Sequence, residues 1–445
     1  MPTFKPSYVR ELTEYPVGRR RLRFLLMAVL ASLILNFEGQ ISPVVPLLLD
    51  DLGMTLRTYG LIAAVTVAAG AVSAAIGGRL ADRWGRTVLL VPILFVTAIC
   101  DFATALVHSP MQLLVMRSLL LFVEGAAVTT TAGLVRDFSP RLGRATAFGF
   151  WTWGPVGANF LAAGIAGLTL PIFTTWRSQF VIIGAIALLV SIVITRYVAD
   201  LSPQLRARVI STEEELSTVE PAGAAVDAGR VRELFAHRKI WAHLGGITLW
   251  QVFYFTIQIF GPTILVQTFG ITSSRAATIT AISWAINLAT LYGAGWLSDR
   301  LQLRKPLILA GALGGLVGIG YLVRLIGSGE ATPVQLVAIN AVIGAALAVT
   351  FTPWMALYSE DVEDIRPDLQ ATAWGLFGLS IRFMILIMLI SAPVVTEAAG
   401  GSWQRWLLIA LICNAAMVPA VFLFGGSWRR TRPTSSTALS ALRTS

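Results

Sequence analysis

Of the 445 residues, 56% are hydrophobic and only 13% charged, whereas a soluble protein of this size carries about 25% charged residues; this balance excludes an ordinary soluble enzyme. The formal net charge is +10, but the basic residues sit beside the ends of apolar runs rather than on one soluble face, which excludes a nucleic-acid partner. Cys100 and Cys413 both fall inside apolar runs, so neither a disulfide framework nor a metal cluster is expected.

A polar segment, Met1–Arg23, precedes the first apolar run. That run is too long for a signal-peptide core and lacks a small-residue cleavage site, so it reads as a retained helix. Crossing a bilayer takes about 20 apolar residues. Runs of that kind lie at 24–47, 58–79, 88–107, 111–135, 145–169, 177–198, 241–265, 275–297, 306–327, 333–357, 371–394 and 403–426. The chain is therefore expected to be an all-α polytopic membrane protein with twelve transmembrane helices. Its plan is an N-terminal segment (1–23), a six-helix bundle (24–198), a connector (199–240), a second six-helix bundle (241–426) and a tail (427–445). Within the connector, Ser211-Thr212-Glu213-Glu214 can cap a short helix, and the composition is that of a tether between halves.

Twelve crossings put both termini and the connector on one side, and most Lys and Arg residues gather there. The positive-inside rule makes that side cytoplasmic, in the cell membrane.

The two halves repeat each other. Gly78, Leu80, Asp82 and Arg83 recur at a constant offset as Gly295, Leu297, Asp299 and Arg300, each set lying in a charged turn between apolar runs. Phe37, Gln40 and Ile41 recur as Phe255, Gln258 and Ile259, and Ala145-Thr146-Ala147-Phe148-Gly149 is echoed by Ala371-Thr372-Ala373-Trp374-Gly375. Duplicated halves with a site between them are a common transporter design.

The turn Gly78-Arg79-Leu80-Ala81-Asp82-Arg83-Trp84-Gly85-Arg86 resembles the signature between the second and third helices of the major facilitator superfamily. Arg117 with Glu124-Gly125 is similar to that family's fourth-helix motif. Gly154-Pro155-Val156-Gly157 is similar to the fifth-helix motif but lacks the full glycine pattern of drug antiporters. The resemblance covers nearly the whole chain and implies two pseudo-symmetric bundles that transport solute by alternating access. It also implies that Asp82 meets the start of the eleventh helix, near Ala371 and Thr372, in the outward-open state, where a carboxylate suits the helix dipole. Arg83 and Arg86 would add ion pairs, with Asp137 a candidate, and Asp299 with Arg300 would do the same in the second half against Glu360 or Glu363. Topology anchoring is the plainer role for these arginines.

Charged residues at mid-depth are the most informative. Arg382 lies in the eleventh span, Glu124 in the fourth and Glu38 in the first, and each costs about 2.5–3.5 kcal/mol at a helix centre. They must face water, one another or a ligand. Arg382 is either a receptor for a carboxylate or phosphate group or a permanent partner of Glu124 or Glu38. An anion-transporting branch of the same superfamily also carries a basic residue in its eleventh helix, which favours an anionic substrate. Glu124 and Glu38 are candidates for proton coupling, since burial raises a carboxylate's pKa and a nearby arginine lowers it. A static partnership with Arg117 is the other reading for Glu124, although seven residues along a helix span about 10.5 Å, too far for a direct bond within it.

Gln251, Tyr254 and Gln258 share one face of the seventh span, and glutamines facing lipid would be unsatisfied. Asn159, Asn287 and Trp284 are further pocket candidates at mid-depth, with Trp151, Trp153 and Trp354 as possible stacking surfaces; packing is the commoner role of such aromatics. His108, His237 and His243 form no ligand spacing and receive no role. No phosphate loop, nucleophile elbow or paired-histidine motif is present, so neither an enzyme nor a cofactor is expected. The reading is a monomeric secondary transporter that couples protons to a small organic anion, with proton-driven drug or metabolite efflux as the alternative.

Overall fold

The structure, a computed structural model, describes residues 6–138, 144–202, 204–205, 236–301, 303–365 and 370–429; within these it does not describe the side chains of some helical residues, Glu38, Gln40, Asp82, Arg83, Trp151, Ala371 and Thr372 among them. The expected cap at Ser211–Glu214 and most of the tail lie outside the described residues.

The first half consists of α1 (Gly18–Ile34), a 3-10 stretch (Phe37–Val44), α2 (Val45–Asp51), α3 (Leu56–Trp84), α4 (Arg86–Thr104), α5 (Pro110–Asp137), α6 (Arg144–Phe173) and α7 (Trp176–Tyr197). The second half consists of α8 (Arg238–Phe269), α9 (Ser273–Leu301), α10 (Lys305–Ser328), α11 (Pro333–Ile365), α12 (Gln370–Ala398), α13 (Gln404–Ala415) and α14 (Met417–Leu423). Ten spans among the described residues are long and apolar enough to cross a membrane, α13 and α14 counting as one. The eighth span, α9, is a full helix of 29 residues, but Ser273, Ser274, Thr278, Thr280, Ser283 and Asn287 dilute its hydropathy.

The first span differs from expectation: it is not one continuous helix over 24–47. Gly39 and Pro43 lie within its 3-10 stretch, and a proline inside a helix removes a backbone donor and clashes with the preceding turn. A break at this depth is tolerated only where protein or a water-filled cavity satisfies the freed backbone groups.

Large apolar side chains such as Leu189, Val317 and Ile412 are exposed on the outside of the bundle, as a lipid-facing surface requires. The second half is cored by aromatic rings: Trp354, fully buried, stacks on Tyr358 at 5.3 Å and meets Phe377 at 4.9 Å. This assigns Trp354 to packing.

The halves meet where α3 packs against α12, α6 against α9, and the broken first span against α8. Toward the face opposite the termini, the Arg57 backbone N–H donates to Glu397 Oε1 at 3.1 Å and the Ser274 hydroxyl to the Gly167 carbonyl at 2.9 Å. Deeper in, the Ser42 hydroxyl donates to the Ile259 carbonyl at 2.9 Å. Gly60 packs so closely on the Leu389 carbonyl and Pro393 that an added Cβ would overlap both.

Each half is also tied at its ends. On the terminal face of the first half, Glu11–Leu12 pair in parallel with Asp200–Leu201, the one strand pair among the described residues. Asp200 accepts from the backbone N–H groups of Arg86 (2.9 Å) and Thr87 (3.3 Å) at the start of α4, where the carboxylate suits the helix dipole. Gly85 makes the turn into α4 with φ 101°, a conformation that side chains disfavour. In the second half, His243 Nε2 lies 2.7 Å from Asp361 Oδ2, both residues being essentially inaccessible. The Gly425 N–H donates to the same oxygen at 2.7 Å, and Lys305 Nζ donates to the Phe424 carbonyl at 2.9 Å. On the opposite face, Trp176 Nε1 and Arg177 Nη1 donate to Asp51 Oδ2 at 2.9 and 2.6 Å.

Candidate functional site

Between the halves lies a cavity of about 320 Å³, within the range of small-molecule sites. Helical spacing brings its lining together. On α5, Arg117, Leu121 and Glu124 fall on one face; on α8, Phe255, Gln258 and Ile259 do; on α12, Arg382, Ile385 and Leu389 do. The broken first span contributes Asn36 and Ser42, and α3 contributes Tyr59 and Thr66. These four were not anticipated from sequence. The helix breakers Gly39 and Pro43 beside Asn36 and Ser42 were the available signal.

Charge is concentrated in this lining. Arg117 and Glu124 are both buried, at 4% exposure each. Arg382 lines the cavity from the opposite half and is the more accessible guanidinium. It makes no hydrogen bond or ion pair among the described residues, Glu124 included. The open alternative of a standing Arg382–Glu124 pair is therefore not what the structure shows. Glu38 falls in the 3-10 stretch, and its side chain lies outside the described part. Two guanidinium groups and one carboxylate leave the described lining net positive, in a setting whose low dielectric strengthens attraction for an anion.

The polar stripe on the seventh span divides along its length. Gln258 lines the cavity, and its carboxamide oxygen is buried without a hydrogen-bond partner among the described residues. Gln251 is buried at 4% with its oxygen likewise unpartnered, but it is not part of the lining. Tyr254 meets Trp284 edge-on at 5.6 Å, and both pack with Phe160 and Val156 on the seam of α6, α8 and α9. They flank the halves' contact rather than the cavity.

Two further expectations for pocket residues, besides Gln251, Tyr254 and Trp284, are corrected. The Asn287 amide donates to the Gly344 carbonyl at 2.8 Å and so fastens α9 to α11. Asn159 is buried on α6 away from the lining. In each case mid-depth position was legible, but the direction of the side chain was not.

On the terminal face, Arg86 forms an ion pair with Asp137, joining the start of α4 to the end of α5. The second half repeats this link with a different residue from the one expected. Arg304 bridges Asp299 at 2.7 Å and Glu360 at 3.1 Å, while Arg300 lies over the Trp296 ring at 5.1 Å. A small slip of register between the halves put the wrong arginine forward. The expected meeting of Asp82 with Ala371 and Thr372, and any pairing by Arg83, fall on side chains outside the described part.

The family model of the Major Facilitator Superfamily matches residues 24–389. The gallate transporter of Pseudomonas putida is 24% identical over 322 residues, covering 67% of this chain and 71% of that one. The 4-hydroxybenzoate transporter PcaK of the same organism is 25% identical over 336 residues, 69% of this chain and 73% of that one. Among solved structures, a D-xylose-proton symporter superposes with a TM-score of 0.68 at 18% identity, covering 93% of this chain and 98% of that one. This last likeness speaks to the fold alone.

Proposed function

This chain belongs to the Major Facilitator Superfamily of transporters, and we propose that it moves a small organic anion, a carboxylate, in company with protons. The observation that carries the reading is the accessible Arg382 guanidinium in the cavity between the halves, with no partner of its own among the described residues. An arginine so placed offers a planar fork of donors that matches a carboxylate two-to-two. The similarity to transporters named for gallate and 4-hydroxybenzoate supports an acid as cargo.

Glu124 is the proposed proton carrier, with Glu38 as a second. Glu124 shares the cavity with Arg117 and Arg382, so arrival of an anion at Arg382 weakens the positive field that keeps the carboxylate ionised and favours its protonation. Release of the anion restores that field and expels the proton. Alternation would come from rocking of the two halves about the cavity, with Asp82 and Arg83 gating the terminal face, and the Arg86–Asp137 and Asp299–Arg304–Glu360 ties keeping each half rigid as it moves. The distribution of Lys and Arg supports termini in the cytoplasm, and the protein is proposed to work as a monomer.

The deciding experiment is uptake by proteoliposomes under an imposed pH gradient, with mono- and dicarboxylates, aromatic acids and sugar acids. The reading expects one acid to accumulate, to leak back when the gradient collapses, and to be ignored by Arg382→Ala. Glu124→Gln should still exchange that acid across the membrane while losing gradient-driven accumulation. Indifference to every acid, together with proton movement on adding lipophilic cations, would overturn this reading in favour of efflux.

A further inference from the structure

The cavity contains an acceptor that nothing among the described residues answers. Gln258 Oε1 is buried with no hydrogen-bond partner, on the face of α8 that lines the same space as Arg382. Three neutral donors of the lining are committed elsewhere: the Ser42 hydroxyl to the Ile259 carbonyl at 2.9 Å, the Thr66 hydroxyl to the Ala63 carbonyl at 2.8 Å, and the Asn36 amide to the Ser32 carbonyl at 2.6 Å. A buried acceptor without a donor is unfavourable, and a ligand that supplies the donor gains what the protein leaves unmade.

We propose that the cavity selects organic acids carrying a hydroxyl group besides the carboxylate, with Gln258 accepting from that hydroxyl while Arg382 holds the carboxylate. The inference rests on the organic-acid reading above and narrows it. A hydroxyl is favoured over an amine because the described lining already holds the cations Arg117 and Arg382 against one carboxylate, Glu124, and a positive charge on the cargo would be repelled there. The rest of the lining, including Ile62, Leu121, Phe255 and Ile385, offers apolar contact to the carbon skeleton between the two polar groups. A site built this way discriminates by leaving its own acceptor bare when the hydroxyl is missing, which penalises the deoxy analogue more than added contact rewards the correct one.

The test uses matched pairs of acids in proteoliposomes of the full chain: benzoate with 3-hydroxybenzoate, phenylacetate with mandelate, and propionate with lactate. The wild-type protein should prefer the hydroxylated member of at least one pair by about tenfold. Gln258→Met, close in volume and without the carboxamide, should erase the preference by depressing only the hydroxylated member. Equal handling of all pairs by the wild type overturns the inference without any variant needing to fold, and so does a preference that survives Gln258→Met; both leave the Arg382 reading standing. If no acid is carried at all, both fall together.

Discussion

Asp361 shows how much a single buried carboxylate can hold. Its oxygens take the His243 imidazole and the Gly425 N–H, so it joins α8, α11 and the chain leaving α14. Replacing it with leucine would leave two buried donors unsatisfied, and the unfolding free energy should fall by about 3 kcal/mol, readable by thermal unfolding in detergent. Asp51 makes a prediction with pH. The Trp176 indole, and next the Arg177 guanidinium, hold its carboxyl below the usual range. A carboxyl depressed in the folded state stabilises above its unfolded value, about 4, and that contribution fades as pH falls through the folded value. The gap in melting temperature between wild type and Asp51→Asn should thus be open at pH 7 and narrow below about pH 4. Residue types announced some of this and not the rest. A mid-membrane arginine declares itself by its insertion cost alone, so Arg382 was legible. Asn287 looked equally promising, but whether an amide faces a cavity or a neighbouring carbonyl depends on helix rotation, which composition does not encode.

At the level of elements, hydropathy located the spans because the bilayer imposes their length. It misjudged the first span, where Gly39 and Pro43 divide one apolar run into α1, the 3-10 stretch and α2. Mid-helix 3-10 geometry is common at hinges, and here it places Asn36 and Ser42 on the cavity. Pro43→Ala, which restores a backbone donor, should lower transport more than it lowers folded yield, since the break would anneal toward helix. The seam between α3 and α12 yields a second expectation. Because a Cβ at Gly60 would collide with the Leu389 carbonyl and Pro393, Gly60→Ala should resist closure of the face opposite the termini. A cysteine placed at Ile62, in the cavity lining, should then react faster with an impermeant thiol reagent added from that side. Unchanged labelling would mean that the helices slide to make room.

Across the whole molecule, the duplicated sequence was enough to announce two bundles around a shared centre, since Gly78, Leu80, Asp82 and Arg83 recur in step. What repetition concealed is where the halves differ. In the first half the start of α4 is capped by Asp200, a residue past the end of α7; in the second, Lys305 opens α10 by reaching to Phe424. The first half thus borrows its cap from the opening of the connector, and the paired strands at Glu11–Leu12 and Asp200–Leu201 clasp the chain's beginning to the same place. This asymmetry dictates where the polypeptide can be severed. Two co-expressed fragments divided after Leu205 keep the end contacts described for each bundle, and they should reassemble into a working pair. Fragments divided after Val198 strip the first bundle of its cap and clasp together, and should leave it prone to degradation before it meets its mate.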